Sequence, residues 1–540
     1  MIRLPKQHIL ITFLFLIAVS PIFSQVKVAS VFSNNMVIQR NKKVPVWGET
    51  LPGEKITVKF NGQKRSAVSG NDGKWKVYLN PMPANAKGQN LIIEGKDTLT
   101  FNNVLIGDVW IMAGQSNMFR NVKSMGKINN EILKHAENPM IRFYKVPPKI
   151  AEKPQNFVDA EWKALNSNNV LNITAIGSVF AEKIQQELNV PVGIISVNMG
   201  STSVECWVPK EIVEKEPFVK TWIYWKDLIE NWDNGAYKKY LKLQQKRAER
   251  KENPLPTKET MINVTETRTL PSGAYNAMLY PLLPFAVKGI VWRQGEANTT
   301  RAVQYEKLLP VMIELWRNKF EDNLLPFVQI GLPSYGKPSE NIGESIIAEL
   351  RLSQQNVAKN VKNCYYIPIL DLNDVKKGKG NIHPKNKYLS GCRTARFVLG
   401  NIYKIEDAVE IPYLNSYKNN GNKIVLTFSE VKNKLFTGVL MDLKGNDIKQ
   451  TDEEVNNFII AGKNKKFVKA HARIINNNKV EVWSEKVPKP VAVRYAWENL
   501  VINVNLYNGS NMPVPSFRTD SWHLSTKGNY KPKISLVRPK

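Results

Sequence analysis

The chain of 540 residues is longer than one hydrophobic core usually supports, so we expect two or three domains. Its 43% hydrophobic and 23% charged residues are typical of a globular protein and exclude a largely disordered chain or a coiled coil. The formal net charge of +29 favours anionic partners such as acidic glycans or a membrane surface, and without a zinc-finger or RRM signature it does not indicate nucleic-acid binding.

The N-terminal segment has the layout of a secretory signal. Arg3 and Lys6 precede a run of 11 residues from Ile9 to Val19 that is apolar except for Thr12, and the small Ser24 follows shortly after it. A membrane anchor is the alternative, but a helix that spans a bilayer needs about 20 apolar residues. We therefore predict a signal peptide over residues 1–24, export to the periplasm or the cell exterior, and no membrane span after cleavage.

Short strands are predicted next. Over residues 25–103, apolar and polar residues alternate in runs such as "KITVKF" and "KWKVYL", separated by turn signals such as "GNDG". This pattern predicts an N-terminal β-sandwich domain. Similar runs return over residues 403–524 and predict a C-terminal β-sandwich domain, followed by a basic, poorly ordered tail over residues 525–540.

The central region, residues 104–402, has a different pattern. Continuous apolar runs such as "VLIGDVWIMA" and "PVGIISVNMG" alternate with stretches of helical spacing. Strands buried on both faces have such runs, so the fold class is α/β, with a mostly parallel sheet in three layers. The charged, Trp-rich insertion over residues 208–269 is predicted to form extra helices whose basic side chains face solvent.

Metal, cofactor and disulfide signatures are missing from the sequence. Cys206, Cys364 and Cys392 are far apart and form no CxxC pair. Neither HExxH nor HxxxH occurs, and neither a P-loop nor a strand-linked GxGxxG is present. We therefore predict no metal and no cofactor.

Ligands of open parallel sheets bind beyond the carboxyl ends of the strands, so site residues are expected at these positions. Ser116 in "GQSNM" could present a nucleophilic hydroxyl or cap a helix. Gly200 could offer its N–H to a ligand or form an ordinary turn. Polar residues also converge in "VWRQGEAN", where they either form an internal network or serve function. These residues are Arg293, Gln294, Glu296 and Asn298.

The fourth strand end, "LDLNDVKKGKGNIHPKNK", contains His383. A serine hydrolase needs a base with a pKa near neutrality, and histidine is the usual one. The other histidines beyond the predicted signal lie in a polar helical stretch or in the C-terminal region, and they are His135, His471 and His523. Elimination therefore leaves His383 as the candidate base.

The blocks "GQSNM", "GSTSVECW", "GIVWRQGEANT" and "IHPKNK", in this order, resemble those of SGNH-type carbohydrate esterases, most of all the sialate O-acetylesterase family. The likeness extends to "VPVWGETLPGEKITVKFNGQ" and to "VRYAWEN", and it leaves out the insertion and the basic tail. It implies an SGNH-hydrolase-like catalytic domain and an enzyme that removes acetyl groups from the hydroxyls of sialic acid.

Carried over residue by residue, the resemblance makes Ser116 the nucleophile and His383 the general base. It assigns the oxyanion hole to the N–H groups of Ser116 and Gly200 and to the side chain of Asn298. The substrate-binding residues predicted beside them are Gln115, Arg293 and Glu296.

Two departures from the family pattern matter. Many SGNH enzymes have an aspartate three residues before the histidine, where this chain has Gly380. Asp371 is our first choice for the acid that orients His383, Asp374 and Glu296 are the alternatives, and a Ser–His dyad remains open. Arg293 stands where relatives often have an aromatic residue, and it could bind a substrate carboxylate.

Three functional hypotheses follow. The first is a sialate O-acetylesterase whose partner is an acetylated sugar or glycan. The second is an esterase that uses the same chemistry on acetylated xylan or pectin. The third is a glycan-binding protein without catalysis, in which the two β-domains bind the ligand. The sequence does not indicate the oligomeric state.

Overall fold

The structure is a computed structural model of the chain that describes residues 26–230, 236–250, 252, 270–441 and 448–531. The predicted signal peptide lies outside the described residues, as do part of the insertion and the last residues of the basic tail. Among the helices of the described ranges, none is long and apolar enough to cross a membrane.

The N-terminal region consists of short strands that alternate between buried and exposed residues. In β6, for example, every second side chain is buried, as the sequence predicts. The strands are β1 (Lys27–Val28), β2 (Val37–Gln39), β3 (Val44–Glu49), β4 (Lys55–Phe60), β5 (Gln63–Val68), β6 (Lys74–Leu79) and β7 (Asn85–Glu94). Strands β1, β3 and β6 form an antiparallel sheet of their own.

The strand that follows, β8 (Thr98–Gly114), joins the N-terminal region to the central sheet. Its first half pairs antiparallel with β7, and its second half lies in the middle of the central sheet. One sheet therefore runs through both regions, and the predicted boundary at residue 103 falls inside β8. This continuity ties the start of the catalytic region to a long, rigid strand.

The central sheet has the order β10-β9-β11-β8-β12-β13-β14. Neighbours from β9 to β14 pair in parallel, and β10 pairs antiparallel with β9 at the edge. The strands besides β8 are β9 (Asn138–Lys145), β10 (Trp162–Leu165), β11 (Val192–Asn198), β12 (Gly289–Arg293), β13 (Phe327–Ile330) and β14 (Cys364–Ile367). The prediction of an α/β protein with a large central sheet is confirmed.

Helices connect these strands. They are α1 (Ser116–Phe119), α2 (Asn129–Leu133), α3 (Ala175–Leu188), α4 (Lys210–Val213), α5 (Val219–Glu230), α6 (Ala236–Glu249), α7 (Ala302–Lys319), α8 (Ile346–Asn360) and α9 (Tyr388–Val398). Helices α4 to α6 lie in the predicted insertion, and Lys242 and Lys246 of α6 are exposed to solvent.

The two faces of the central sheet bury separate hydrophobic cores. In β8, Ile111 and Ala113 belong to the core that contains α7 and α8, whereas Trp110 and Met112 belong to the core that contains α3 and α9. Side chains of a strand alternate between its faces, so helices on both sides explain why "VWIMA", the second half of the run, is apolar at every position.

The C-terminal region contains small antiparallel sheets around a third core. Its strands follow a short hairpin of β15 (Val375–Lys376) and β16 (Lys379–Gly380). They are β17 (Tyr413–Asn420), β18 (Lys423–Ser429), β19 (Leu435–Leu440), β20 (Ile448–Thr451), β21 (Phe458–Ala461), β22 (Phe467–Lys469), β23 (His471–Asn476), β24 (Lys479–Trp483), β25 (Ala492–Tyr495), β26 (Leu506–Asn508) and β27 (Phe517–Arg518).

Helix α8 holds the C-terminal region against the central one. Arg351 donates to the carbonyl oxygens of Ala496 and Glu498 at 3.0 and 2.8 Å. Glu349 accepts from the hydroxyls of Ser525 and Thr526 at 2.8 and 2.6 Å. We expected a poorly ordered tail from residue 525, but its first residues are fixed by these charge-assisted hydrogen bonds.

Candidate active site

The turn that carries Ser116 is formed by a close approach of β8 to β12. Gly114 has a φ of +132°, and a Cβ at this position would collide with the carbonyl oxygen of Arg293. That carbonyl accepts the N–H of Gln115 at 3.0 Å. Only glycine allows this conformation and this contact, so β8 ends here and α1 begins at the next residues.

The Ser116 hydroxyl lies 2.9 Å from Nε2 of His383. Ser116 is the first residue of α1, and Gln115 occupies the capping position without a side-chain cap bond. The hydroxyl therefore does not cap the helix, and it is instead placed against an imidazole that can exchange a proton with it. The fold thus brings together Ser116, which its position at a strand end suggested, and His383, which elimination among the histidines suggested.

Gly200 lies directly beside the serine. A Cβ on Gly200 would be 3.6 Å from Cβ of Ser116, which is an ordinary van der Waals distance. The preceding residue, Met199, donates its N–H to the carbonyl of Gly114 at 3.0 Å. The end of β11 is thus tied to the serine turn, as the predicted oxyanion role of Gly200 requires.

Asn298 is buried and belongs to a network that holds its side chain in one orientation. Its Oδ1 accepts from the N–H of Val204 at 3.0 Å and from Gln294 at 2.7 Å. Its Nδ2 donates to Glu205 at 3.0 Å, and Glu205 forms an ion pair with Arg301. One of the two Nδ2 hydrogens is committed to Glu205, so the predicted oxyanion role depends on the other.

The predicted substrate-binding residues are buried. Gln115 is 3% exposed, and its Oε1 accepts the N–H groups of Gly295 and Ala297, both at 3.3 Å. Arg293 is 1% exposed and pairs with Glu296 at 3.6 Å. Burial lowers the pKa of the Arg293 guanidinium. We correct these expectations, because side chains buried inside a hydrogen-bonded network organise the loop and do not meet a substrate carboxylate.

Asn117 links three parts of the site, a role that the sequence did not reveal. Its Nδ2 donates to Glu296 at 2.6 Å and to the carbonyl of Ile382 at 2.9 Å. Its Oδ1 accepts from the ammonium of Lys387 at 2.5 Å. Ile382 and Lys387 flank His383, so this one side chain joins the serine turn to the histidine loop.

The carboxylate predicted to orient His383 is bound elsewhere. Asp371 forms a two-pronged ion pair with Arg393, with both hydrogen bonds at 2.8 Å, and accepts from Tyr507 at 3.3 Å. Asp374, an alternative, accepts from Asn381 at 3.3 Å. The choice of Asp371 is therefore corrected, because planar pairing with a buried arginine satisfies both of its oxygens.

Gly380, three residues before His383, has no space for a side chain. Its N–H and carbonyl exchange hydrogen bonds with Gly336 at 2.8 and 2.9 Å. A Cβ there would lie 2.8 Å from Cα of Tyr335 and 2.7 Å from the Leu500 side chain. The local packing therefore excludes the family aspartate.

The group found at the far nitrogen of His383 is Arg120. Its Nη2 lies 3.2 Å from Nδ1 of the imidazole. Arg120 directly follows α1 and is partly exposed, whereas Arg293 is buried. Arg120 stands only four residues after Ser116, but it belongs to none of the sequence motifs that predict the site.

Within the described ranges, no group of three or more His, Cys, Asp and Glu side chains is placed to hold a metal ion. A separate cleft of about 1000 Å³ lies between the β1-β3-β6 sheet and the segment before β12. No candidate catalytic residue lines it, so it is distinct from the serine site. Its aromatic lining consists of Trp47, Trp75, Phe157 and Tyr280.

Known proteins share both the motifs and the fold. Residues 106–242 and 272–389 match the family described as "Carbohydrate esterase, sialic acid-specific acetylesterase". The sialate O-acetylesterases of Mus musculus and Homo sapiens are 27% and 26% identical over 389 residues, which cover 66% of this chain and 70% and 68% of the relatives. The crystal structure of a carbohydrate acetylesterase from Xanthomonas citri covers 92% of this chain and 100% of its own, with 28% identity and a TM-score of 0.74.

A serine hydroxyl paired with an imidazole at the carboxyl ends of a parallel sheet, on this fold, defines a carbohydrate esterase. The chain belongs to the sialic acid-specific acetylesterase family. The family resemblance drawn from the sequence blocks is confirmed, and so is the prediction of an esterase.

The two glycines of the site should respond differently to alanine. Gly200→Ala adds a methyl group at van der Waals distance from Ser116, so we expect unchanged urea unfolding but a loss of about 10-fold or more in kcat, because the oxyanion space is occupied. Gly114→Ala should lower the midpoint of urea unfolding, because the added carbon collides with backbone. Full activity of Gly200→Ala would contradict the placement of the oxyanion at this glycine.

The buried Lys387 should make stability depend on pH. Burial, and after it repulsion from Arg293, holds the pKa of this ammonium well below 10.5. Between the lowered pKa and 10.5, only the unfolded chain binds this proton, so raising the pH through that window stabilises the folded state. The difference in unfolding free energy between wild type and Lys387→Met should therefore shift in favour of wild type as the pH rises.

Urea unfolding at several pH values checks this expectation. Lys385→Met, two residues away and exposed, is the matched control and should leave the pH dependence of wild type unchanged. If the difference in unfolding free energy between wild type and Lys387→Met stays constant from neutral to alkaline pH, Lys387 behaves as an ordinary solvated ammonium and the expectation is wrong.

Proposed function

We propose that this chain hydrolyses the O-acetyl esters of sialic acids through an acyl-enzyme on Ser116. The observation that carries the proposal is the 2.9 Å contact between the Ser116 hydroxyl and Nε2 of His383. It occurs in a chain of the sialic acid-specific acetylesterase family. The relatives named sialate O-acetylesterase support the choice of substrate.

In the first step, Oγ of Ser116 attacks the acetyl carbonyl carbon and its proton moves to Nε2 of His383. The resulting tetrahedral oxyanion is stabilised by the N–H groups of Ser116 and Gly200 and by the Asn298 amide. The bond between the carbonyl carbon and the sugar oxygen then breaks, and His383 returns its proton to that oxygen. The products are the free sugar hydroxyl and an acetylated Ser116.

In the second step, water replaces the sugar. His383 accepts a proton from the water as its oxygen attacks the acetyl carbon. The bond to Oγ then breaks, the proton returns to Ser116, and acetate leaves. Both steps need a lone pair on Nε2 that faces Ser116, so the other ring nitrogen must carry the proton of neutral His383.

We also infer that the catalytic region is a three-layer SGNH-hydrolase-like domain with mostly parallel pairing, flanked by two β-sandwich domains. The parallel neighbours from β9 to β14 and the two cores on either face of β8 support this description of the centre. The antiparallel sheets of the N- and C-terminal regions support the description of the flanks.

Loss of the nucleophile should abolish turnover. Ser116→Ala is expected to reduce acetate release from O-acetylated sialic acid by about 10³-fold or more, because no covalent acyl-enzyme can form. Its urea unfolding should match that of wild type, since the half-buried hydroxyl is replaced by hydrogen. A fluorophosphonate probe should label wild type but not the variant.

Ser178→Ala is a matched control, because Ser178 lies in α3 and is none of the predicted site residues, so its loss should leave turnover unchanged. Acetylated xylan serves as the competing substrate in the same assay. Full activity of Ser116→Ala would remove Ser116 as the nucleophile, and a higher kcat/KM on xylan would replace the proposed substrate.

We propose that the enzyme acts outside the cytoplasm after removal of residues 1–24. The basic start and the short apolar run up to Ser24 support export. Expression of the full chain should yield a mature protein that begins at Gln25, as read by N-terminal sequencing of the exported fraction. Replacing the apolar Leu14 and Leu16 with arginine should retain the unprocessed chain in the cell. An exported fraction that still begins at Met1 would contradict the proposal.

A further inference from the structure

Arg120 is anchored next to the nucleophile. Its N–H donates to the carbonyl of Ser116 at 2.9 Å, and its carbonyl accepts from the N–H of Ala175 at 2.9 Å. The backbone is thus fixed on both sides, while the side chain is partly exposed and reaches Nδ1 of His383 at 3.2 Å. A cation therefore stands at the rim of the site, within reach of solvent and of the catalytic base.

This contact opposes catalysis through the position of one proton. A guanidinium only donates hydrogen bonds, so its contact with Nδ1 uses the lone pair of that nitrogen and assigns the proton of neutral His383 to Nε2. Nε2 then donates to Ser116 and has no lone pair to accept the serine proton. The tautomer that these two contacts select is the inactive one.

The contact also opposes catalysis through charge. When His383 accepts the proton of Ser116 it becomes an imidazolium, and the Arg120 guanidinium beside it repels that charge. Other cations add to this field, because Arg293 and Lys387 lie behind the site. The nearby Glu296 is engaged by Arg293 and Asn117, and Asp374 is engaged by Asn381. An anion that binds at Arg120 would relieve the repulsion.

We propose that Arg120 binds the carboxylate of the substrate and thereby releases Nδ1 of His383. An anionic substrate then converts His383 to the tautomer that can accept the proton of Ser116. The proposal rests on the proposed function, since sialic acids carry a carboxylate on the same monosaccharide as the acetyl ester. As the guanidinium turns to the carboxylate, the proton leaves Nε2 for solvent and another binds Nδ1. The imidazole stays neutral, and its Nε2 lone pair then faces Ser116.

The dimensions of the site fit this exchange. The guanidinium is separated from the Ser116 hydroxyl by one imidazole ring and two hydrogen-bond lengths, which is comparable to the size of a single monosaccharide. A substrate with its acetyl group at Ser116 can therefore present its carboxylate to Arg120. Arginine suits this task because its planar fork matches the two oxygens of a carboxylate.

The experiment compares O-acetylated sialic acid with its methyl ester, in which the carboxylate is masked, on wild type and on Arg120→Met. Wild type should have about 10-fold or higher kcat/KM on the acid than on the methyl ester, because a charge-assisted pair is lost with the ester. In Arg120→Met the two values should agree within about twofold. The variant should also hydrolyse the small neutral p-nitrophenyl acetate faster than wild type, because the guanidinium no longer donates to Nδ1.

Two further variants keep the test decisive. Arg120→Lys retains a cation without the planar fork and should keep part of the preference for the acid. Arg65→Gln, an exposed arginine on β5, should behave as wild type on every substrate. A gain of activity on p-nitrophenyl acetate distinguishes release of the base from loss of a structural contact, which would lower activity on all substrates.

Three results would overturn the inference. The first is an equal preference for the acid in wild type and Arg120→Met, which removes Arg120 from carboxylate recognition. The second is slower hydrolysis of p-nitrophenyl acetate by both Arg120 variants, which makes the residue structural. The third is a wild type that hydrolyses p-nitrophenyl acetate but neither sialate substrate, which overturns the proposed function and the carboxylate recognition with it.

Discussion

The hydrogen bonds of the Asn117 amide are the interaction on which the geometry of the site depends. Asn117 is next to Ser116 in sequence, and it binds the carbonyl of Ile382, the residue next to His383. The serine and the histidine are 267 residues apart in sequence. The Asn117 amide fixes the position of the histidine loop relative to the serine turn. Each of its polar atoms is satisfied inside the protein, and a buried amide without partners would destabilise the fold.

The same side chain connects the catalytic pair to buried charge. Arg293 and Lys387 lie close to Glu296, and burial lowers the pKa of both groups because it disfavours their charged forms. Such groups stay in place only when they are hydrogen-bonded, which keeps the loops after β12 and β16 rigid. The result is an electropositive strand end, and this property suits an esterase whose family acts on an acidic sugar.

The C-terminal region contributes to the site through the hairpin that precedes His383. The carbonyl of Val501 accepts from Ser334 at 3.0 Å and from Asn373 at 2.6 Å. Leu500 fills the space that a side chain at residue 380 would need. The glycine at residue 380 is thus linked to close packing of the C-terminal region. The environment of His383 includes Arg120 in addition to Ser116.

Sequence reasoning by itself reached the α/β class, the family, and the residues Ser116, Gly200 and His383. Each of these followed from a local property: continuous apolar runs, a glycine at a strand end, or the scarcity of histidine. Only the tertiary structure decided which charges meet, because every loop offers several polar side chains and their partners lie in distant segments. Asp371 binds Arg393 and not His383, and Arg293 is buried. Arg120 contacts Nδ1 of His383. The partner of each charged side chain depends on how the loops pack and not on its neighbours in sequence.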